Sequence, residues 1–139
     1  MQKITPFLWF DNQAGEAMQL YTSTFEASKV SSQTRWKPEV PAAPAEVMMG
    51  TFQLAGQQFM ALNGGPLFPF TQAISFFVTC RSADELERLW GPLAKGGKER
   101  MALQEYPFSR RYGWTSDRYG VNWQLNLAGS ELKISPCLM

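Results

Sequence analysis

The two halves of the sequence repeat the same order of predicted elements, and this repeat limits the fold more than any other feature. The first half predicts a strand at 4–10, then a helix, then three strands that end at residue 63. The second half starts again with a strand at 73–80, followed by a helix and three strands that end at residue 127. Each half is therefore expected to form a β-α-β-β-β module.

The helix of each module is predicted from apolar residues at helical spacing and from capping residues. The first helix is expected near 13–26, with Asp11 or Asn12 as its N-cap. The second helix is expected near 83–95, because the sequence Ser-x-x-Glu that begins at Ser82 is typical of a capping box. Both helices should pack one apolar face against the strands of their own module.

Aligning the halves supports a duplication. A shift of 70 residues places Phe7 on Phe77, and a shift of 64 residues places Met60 on Gln124. Apolar periods can match by chance, but the aligned blocks occur in the same order in both halves. Duplication is therefore the favoured interpretation.

The composition restricts the classes of function. Thirteen Lys and Arg balance twelve Asp and Glu, so the chain is not expected to bind nucleic acid or an anionic membrane. No apolar run is long enough for a membrane span, so a cytoplasmic protein is expected, with Cys80 and Cys137 as free thiols. The sequence has no histidine, which removes the commonest general base, and no catalytic residue can be assigned.

The chain is predicted to be a single domain over 1–139. Module one is placed at about 3–66, module two at about 72–128, and a C-terminal tail at 129–139. Residues 37–46 contain three prolines and are predicted to form a loop.

Two local phrases carry a family resemblance: "ALNGGP", which begins at Ala61, and "GWTSDRYGVNWQ", which ends at Gln124. With the modular repeat, the chain resembles the PhnB-like family, also called a 3-demethylubiquinone 3-methyltransferase-like domain. This family is part of the vicinal oxygen chelate superfamily of glyoxalases and bleomycin-resistance proteins. The resemblance covers about residues 3–127 and implies an α+β fold with curved, mostly antiparallel sheets.

The resemblance also implies where a metal would bind. Metal-using members of the superfamily take one ligand, usually His or Glu, from the first and the last strand of each module. The matching positions here are Thr5, Met60, Ser75 and Gln124. Two hydroxyls, a thioether and an amide provide no anionic ligand, so the chain is expected to bind no metal and no cofactor.

In the superfamily that the chain resembles, the curved sheets form a cup around the metal position. Strand alternation predicts which side chains line this cup when no metal is bound. The opposite faces of the same strands, including Leu8, Phe10 and Trp123, should pack on the helices. The cup is either a site for a small planar or aromatic ligand or simply packed core, and both alternatives stay open. The predicted cup residues are Thr5, Phe7, Trp9, Met60, Leu62, Ser75, Phe77, Asn122 and Gln124.

Three further polar groups have a structural and a functional interpretation. Arg110 and Arg111 could bind an anion, but a solvated edge pair is favoured. Asp117 is predicted to stabilise its own turn. The glycines after Asn63 could admit a phosphate, although a tight turn is favoured because no Gly-rich nucleotide loop is present.

Three functions are compatible with these observations. The first is a metal-free homodimer that binds a small molecule. The second is an enzyme, either a methyltransferase as the family name implies or a metal-assisted isomerase or lyase. The third is a structural or regulatory dimer whose cup binds nothing.

Overall fold

A computed structural model describes residues 2–36, 47–129 and 131–139. The predicted loop at 37–46 lies outside the described residues. The chain divides into two compact units, Met1–Pro69 and Phe70–Met139. No helix within the described residues is long and apolar enough to cross a membrane.

The first unit contains one helix and a four-stranded sheet. Its elements are β1 (Phe7–Phe10), α1 (Ala14–Thr24), β2 (Lys29–Arg35), β3 (Val47–Leu54) and β4 (Gln57–Asn63). The strands lie in the order β1-β4-β3-β2, with β1 parallel to β4 and the remaining neighbours antiparallel. The helix packs mainly on β3, where Met18 and Tyr21 are buried against the sheet.

The second unit contains one helix and a five-stranded sheet. Its elements are β5 (Ile74–Cys80), α2 (Ala83–Ala94), β6 (Lys98–Tyr106), β7 (Ser109–Ser116), β8 (Asn122–Leu127) and β9 (Lys133–Leu138). The strands lie in the order β6-β7-β8-β5-β9, with β5 parallel to β8. The helix packs on β8, β7 and β5, over a buried core that includes Val78, Trp123 and Leu125.

The predicted α+β fold of two β-α-β-β-β modules with mostly antiparallel sheets is confirmed. The strand register also agrees with the duplication, because Phe7 pairs with Met60 and Phe77 pairs with Gln124 at equivalent positions of the two sheets. The segment predicted as a C-terminal tail contains β9, which adds to the free edge of β5. Its short, proline-containing sequence gives a weak strand signal, whereas the unpaired edge of β5 provides the hydrogen-bonding groups.

The two helix starts differ. Ser82 caps α2 as predicted, since its Oγ accepts from the backbone N–H of Glu85 at 3.1 Å. The prediction that Asp11 or Asn12 caps α1 is wrong, because the helix begins after Gln13 and that residue makes no side-chain cap bond. The Asn63 side chain at the end of β4 accepts from the N–H of Ala14 at 2.8 Å instead. A cap supplied from 49 residues away has no local sequence signal.

Candidate ligand-binding faces

Four of the predicted cup residues form one face of the first unit, which we call the aromatic face: Phe7, Trp9, Met60 and Leu62. The register of β1 and β4 pairs Phe7 with Met60 and Trp9 with Leu62, so all four side chains lie on the same side of the sheet. Phe7 is 51% exposed and the other three are half-buried. Leu8 and Phe10 alternate with them and are buried, as predicted. The prediction that Thr5 lies in the first strand is wrong, because β1 begins two residues later at Phe7; Thr5 is half-buried.

Trp9 is held in one orientation by the turn after β4. Its indole Nε1 donates to the carbonyl of Gly65 at 2.9 Å, and the ring of Phe68 meets it edge-on with centroids 5.0 Å apart. A Cβ on Gly64 would lie 2.3 Å from the indole ring, so the indole requires a glycine there. The space beside Gly64 is therefore filled by tryptophan, which argues against the phosphate site considered for these glycines.

The remaining cup residues form one face of the second unit, which we call the polar face: Ser75, Phe77, Asn122 and Gln124. The parallel register of β5 and β8 places Phe77 directly beside Gln124. Ser75, Asn122 and Gln124 are buried, with at most 8% of the residue exposed, and Phe77 is half-buried. The polar face is therefore much more enclosed than the aromatic face.

Both ends of the Gln124 amide are hydrogen-bonded within the unit. The hydroxyl of Tyr112 on β7 donates to Oε1 at 2.5 Å, and Nε2 donates to Oγ of Ser75 on β5 at 2.8 Å. Burial raises the pKa of Tyr112 to about 12, with smaller contributions from Cys137 and Tyr106. Tyr112 is therefore a neutral donor at physiological pH, and the amide joins β7 to β5 across β8.

Asn122 has a second, separate set of partners. Its Oδ1 accepts from Oγ of Ser116 at 2.7 Å and from the indole of Trp114 at 3.1 Å. Its amide nitrogen donates to the carbonyls of Thr71 at 3.2 Å and Gly120 at 3.3 Å. With its oxygen and its nitrogen both bonded, Asn122 fixes neighbouring side chains and has little capacity left for a ligand.

The turn before β8 is built around Asp117, whose predicted structural role is confirmed. One carboxylate oxygen accepts from the backbone N–H of Tyr119 at 2.8 Å and of Val121 at 3.1 Å. The other oxygen accepts from the indole of buried Trp123 at 2.9 Å. Gly120 completes the turn at φ 95°.

Arg110 and Arg111 do not form the anion site that was one of their two interpretations. Arg111 forms an ion pair with Glu87 of α2, and Arg110 is exposed. Arg100 on β6, which no sequence pattern marks, lies one hydrogen bond away from the polar face: its Nε donates to Oγ of Ser116 at 2.9 Å, and Ser116 donates to Asn122. Strand alternation in β7 could have indicated Ser116, but not the arginine that meets it.

The donor set does not fit a divalent metal. In the second unit the Gln124 oxygen already accepts from Tyr112, and the Gln124 nitrogen donates to Ser75. Neither of these two predicted ligand positions therefore presents a free anionic ligand. Across residues 2–36, 47–129 and 131–139, no three His, Cys, Asp or Glu side chains come close enough together to hold a metal ion. That the protein binds no metal stays a prediction.

Both cysteines are free, as predicted. Cys80 is buried, and burial together with Glu85 raises the pKa of its thiol to about 12.

Comparison with known proteins gives a consistent family. The family model described as 3-demethylubiquinone-9 3-methyltransferase matches residues 2–126. A PhnB protein from Bacillus cereus is 43% identical, with 91% of this chain and 100% of that chain covered and a TM-score of 0.87. A protein from Pseudomonas aeruginosa is 25% identical, with coverage of 91% and 98% and a TM-score of 0.78.

A more distant match shows the fold alone. The fosfomycin resistance protein FosX from Listeria monocytogenes is 11% identical, with 93% of this chain and 94% of that chain covered and a TM-score of 0.59. No curated protein matches the sequence.

Proposed function

Because this chain belongs to the PhnB-like, 3-demethylubiquinone-9 3-methyltransferase family, we propose that it binds a small planar or aromatic molecule. In this proposal the protein works without a transition metal, as a homodimer in the cytoplasm. The ligand contacts the predicted cup residues of the first unit, where the aromatic face supplies the stacking surface.

The observation that carries this proposal is the fixed, accessible aromatic face. The Trp9 indole is held by its hydrogen bond to Gly65 and packs closely against Gly64. Phe7, on the same face, remains 51% exposed. Met60 and Leu62 supply apolar surface on the neighbouring strand. A well-placed aromatic contact contributes about 0.5–1.5 kcal/mol beyond area burial, and a ring held in place loses little entropy on binding.

The enzymatic alternatives have weaker support. The polar groups of the polar face are one hydroxyl and two amides. Burial raises the pKa of Tyr112 to about 12, so this phenol stays protonated near neutral pH and does not serve as a base. The turns from β1 to α1 and from β5 to α2 contain none of the glycines that bind a nucleoside phosphate in doubly wound folds. No methyl-transfer step is therefore assigned to this chain.

The homodimer is supported by the edge of the first sheet. β1 is an edge strand of the sheet that the structure describes, and Ile4 beside this edge is 83% exposed. Open edges with apolar side chains favour association. Sedimentation at micromolar concentration should give a species of twice the chain mass of 15.7 kDa. A single species at the chain mass would contradict this part of the proposal.

A thermal-shift screen with small aromatic compounds tests the ligand-binding proposal. A compound at about 100 times its dissociation constant adds about 2.7 kcal/mol to the free energy of unfolding, which the assay resolves. Phe7→Ala should weaken binding, whereas Phe108→Ala, which truncates another exposed phenylalanine on the β6–β7 turn, should not. If no compound shifts the melting temperature, or if both variants bind equally well, the aromatic face is not a ligand site.

A further inference from the structure

We propose that Arg100, in the second unit, binds an anionic group, a carboxylate or a phosphate, of a small molecule. The inference goes beyond the proposed function, because the aromatic face belongs to the first unit. It departs from the neutral ligand that the amide and hydroxyl groups of the polar face suggest by themselves.

A bulge in β6 brings Arg100 to the polar face. The register of β6 with β7 pairs Glu99 with Thr115 and then Met101 with Trp114, so one extra residue lies between them. That residue is Arg100, and its guanidinium bonds Ser116, whose hydroxyl in turn donates to Asn122. The cation therefore lies at one end of the hydrogen-bonded row that includes the predicted cup residue Asn122.

Neutral groups hold the guanidinium by one edge. Nε donates to Oγ of Ser116 at 2.9 Å. With its oxygen turned toward the guanidinium, the Gln72 amide accepts from both Nε and Nη1 at 2.8 Å. Within the described part of the chain, Nη2 has no hydrogen-bond partner. The bonds made by Ser116 and Gln72 fix the plane of the group while a donor stays available.

Two other arginines of the second unit form ion pairs, whereas Arg100 forms none with the described residues. Arg81 pairs with Glu85, and Arg111 pairs with Glu87. No Asp or Glu forms an ion pair with Arg100 among residues 2–36, 47–129 and 131–139. A half-buried guanidinium held by neutral acceptors retains its full attraction for an anion, and its planar donors match carboxylate and phosphate oxygens.

The test compares matched probes by calorimetry at low salt. Benzoate and benzamide have the same ring and nearly the same shape but differ in charge, and phenyl phosphate and inorganic phosphate separate the ring from the anion. We expect benzoate or phenyl phosphate to bind roughly tenfold tighter than benzamide, a difference of about 1.4 kcal/mol. Raising the salt concentration should reduce this preference.

Variants assign the preference to one side chain. Arg100→Gln should reduce the affinity for the anionic probes to that for benzamide, and Arg100→Lys should restore part of it. Arg110→Gln is the matched control, because it removes an equal charge from an exposed arginine. Circular dichroism of each variant confirms that it is folded.

The outcomes separate this inference from the proposed function. If benzamide and benzoate bind equally, or if Arg100→Gln keeps the preference for anions, the inference is wrong while the ligand-binding function stands. If inorganic phosphate binds as tightly as phenyl phosphate and Arg100→Gln weakens both, the site recognises the anion without the ring and the inference stands. If no anionic probe binds, the inference is wrong.

Discussion

Replacing Gln124 by leucine should destabilise the fold, because the amide connects two buried hydroxyl groups. Leucine has nearly the same volume, so the change removes hydrogen bonds without opening a large cavity. It leaves the Tyr112 hydroxyl and the Ser75 hydroxyl without their Gln124 partner, in residues that are only 4% and 0% exposed. The variant therefore measures the energy of this link directly.

The magnitude follows from the two orphaned groups. A buried hydroxyl that loses its partner costs about 1–3 kcal/mol, so the two together cost about 2–6 kcal/mol. The added apolar carbon of leucine returns about 0.8 kcal/mol. The free energy of unfolding should fall by about 1–5 kcal/mol, measured by urea denaturation with the slope unchanged.

Two further variants make the experiment decisive. Gln104→Leu is the matched control, since it makes the same substitution at an exposed position of β6 and should change stability by about 0.5 kcal/mol or less. In the double variant Tyr112→Phe with Gln124→Leu, one orphaned hydroxyl is absent, so the cost should be smaller than the sum of the single variants. A loss below about 0.5 kcal/mol for Gln124→Leu alone would show that the amide link does not stabilise the protein.

Three other predictions follow from the same contacts. Burial raises the pKa of Tyr112 from 10.0 to about 12, so the unfolded chain loses this proton first. Between these two pKa values the free energy of unfolding should fall by about 1.4 kcal/mol per pH unit. Tyr112→Phe should remove this contribution, as measured by alkaline denaturation. Asn63→Ala should cost about 1–3 kcal/mol, because α1 loses the cap on Ala14, whereas Asn12→Ala should change stability little. After dialysis against Zn²⁺, Ni²⁺ or Mn²⁺, elemental analysis should find no stoichiometric metal. One bound ion that is lost in Gln124→Leu would contradict the prediction that the four ligand positions hold no metal.

The sequence by itself determined the modular fold. Apolar periods and glycine turns predicted both helices and eight of the strands, and the duplication aligned Phe7 with Phe77 and Met60 with Gln124, as the strand register confirms. Alternation also separated the buried residues from the cup residues in β1. These features are local, since the period of a strand or helix records which side faces the core.

The tertiary structure decided which polar groups meet. The partner of Gln124 on β5 lies 49 residues away, the cap of α1 comes from the end of β4, and β9 fills an edge that the repeat leaves open. The bulge between Glu99 and Met101 brings Arg100 to Ser116, next to the polar face, and thereby adds a positive charge beside a set of neutral residues. Strand order and bulges arise from packing over the whole sheet, so no window of sequence contains them.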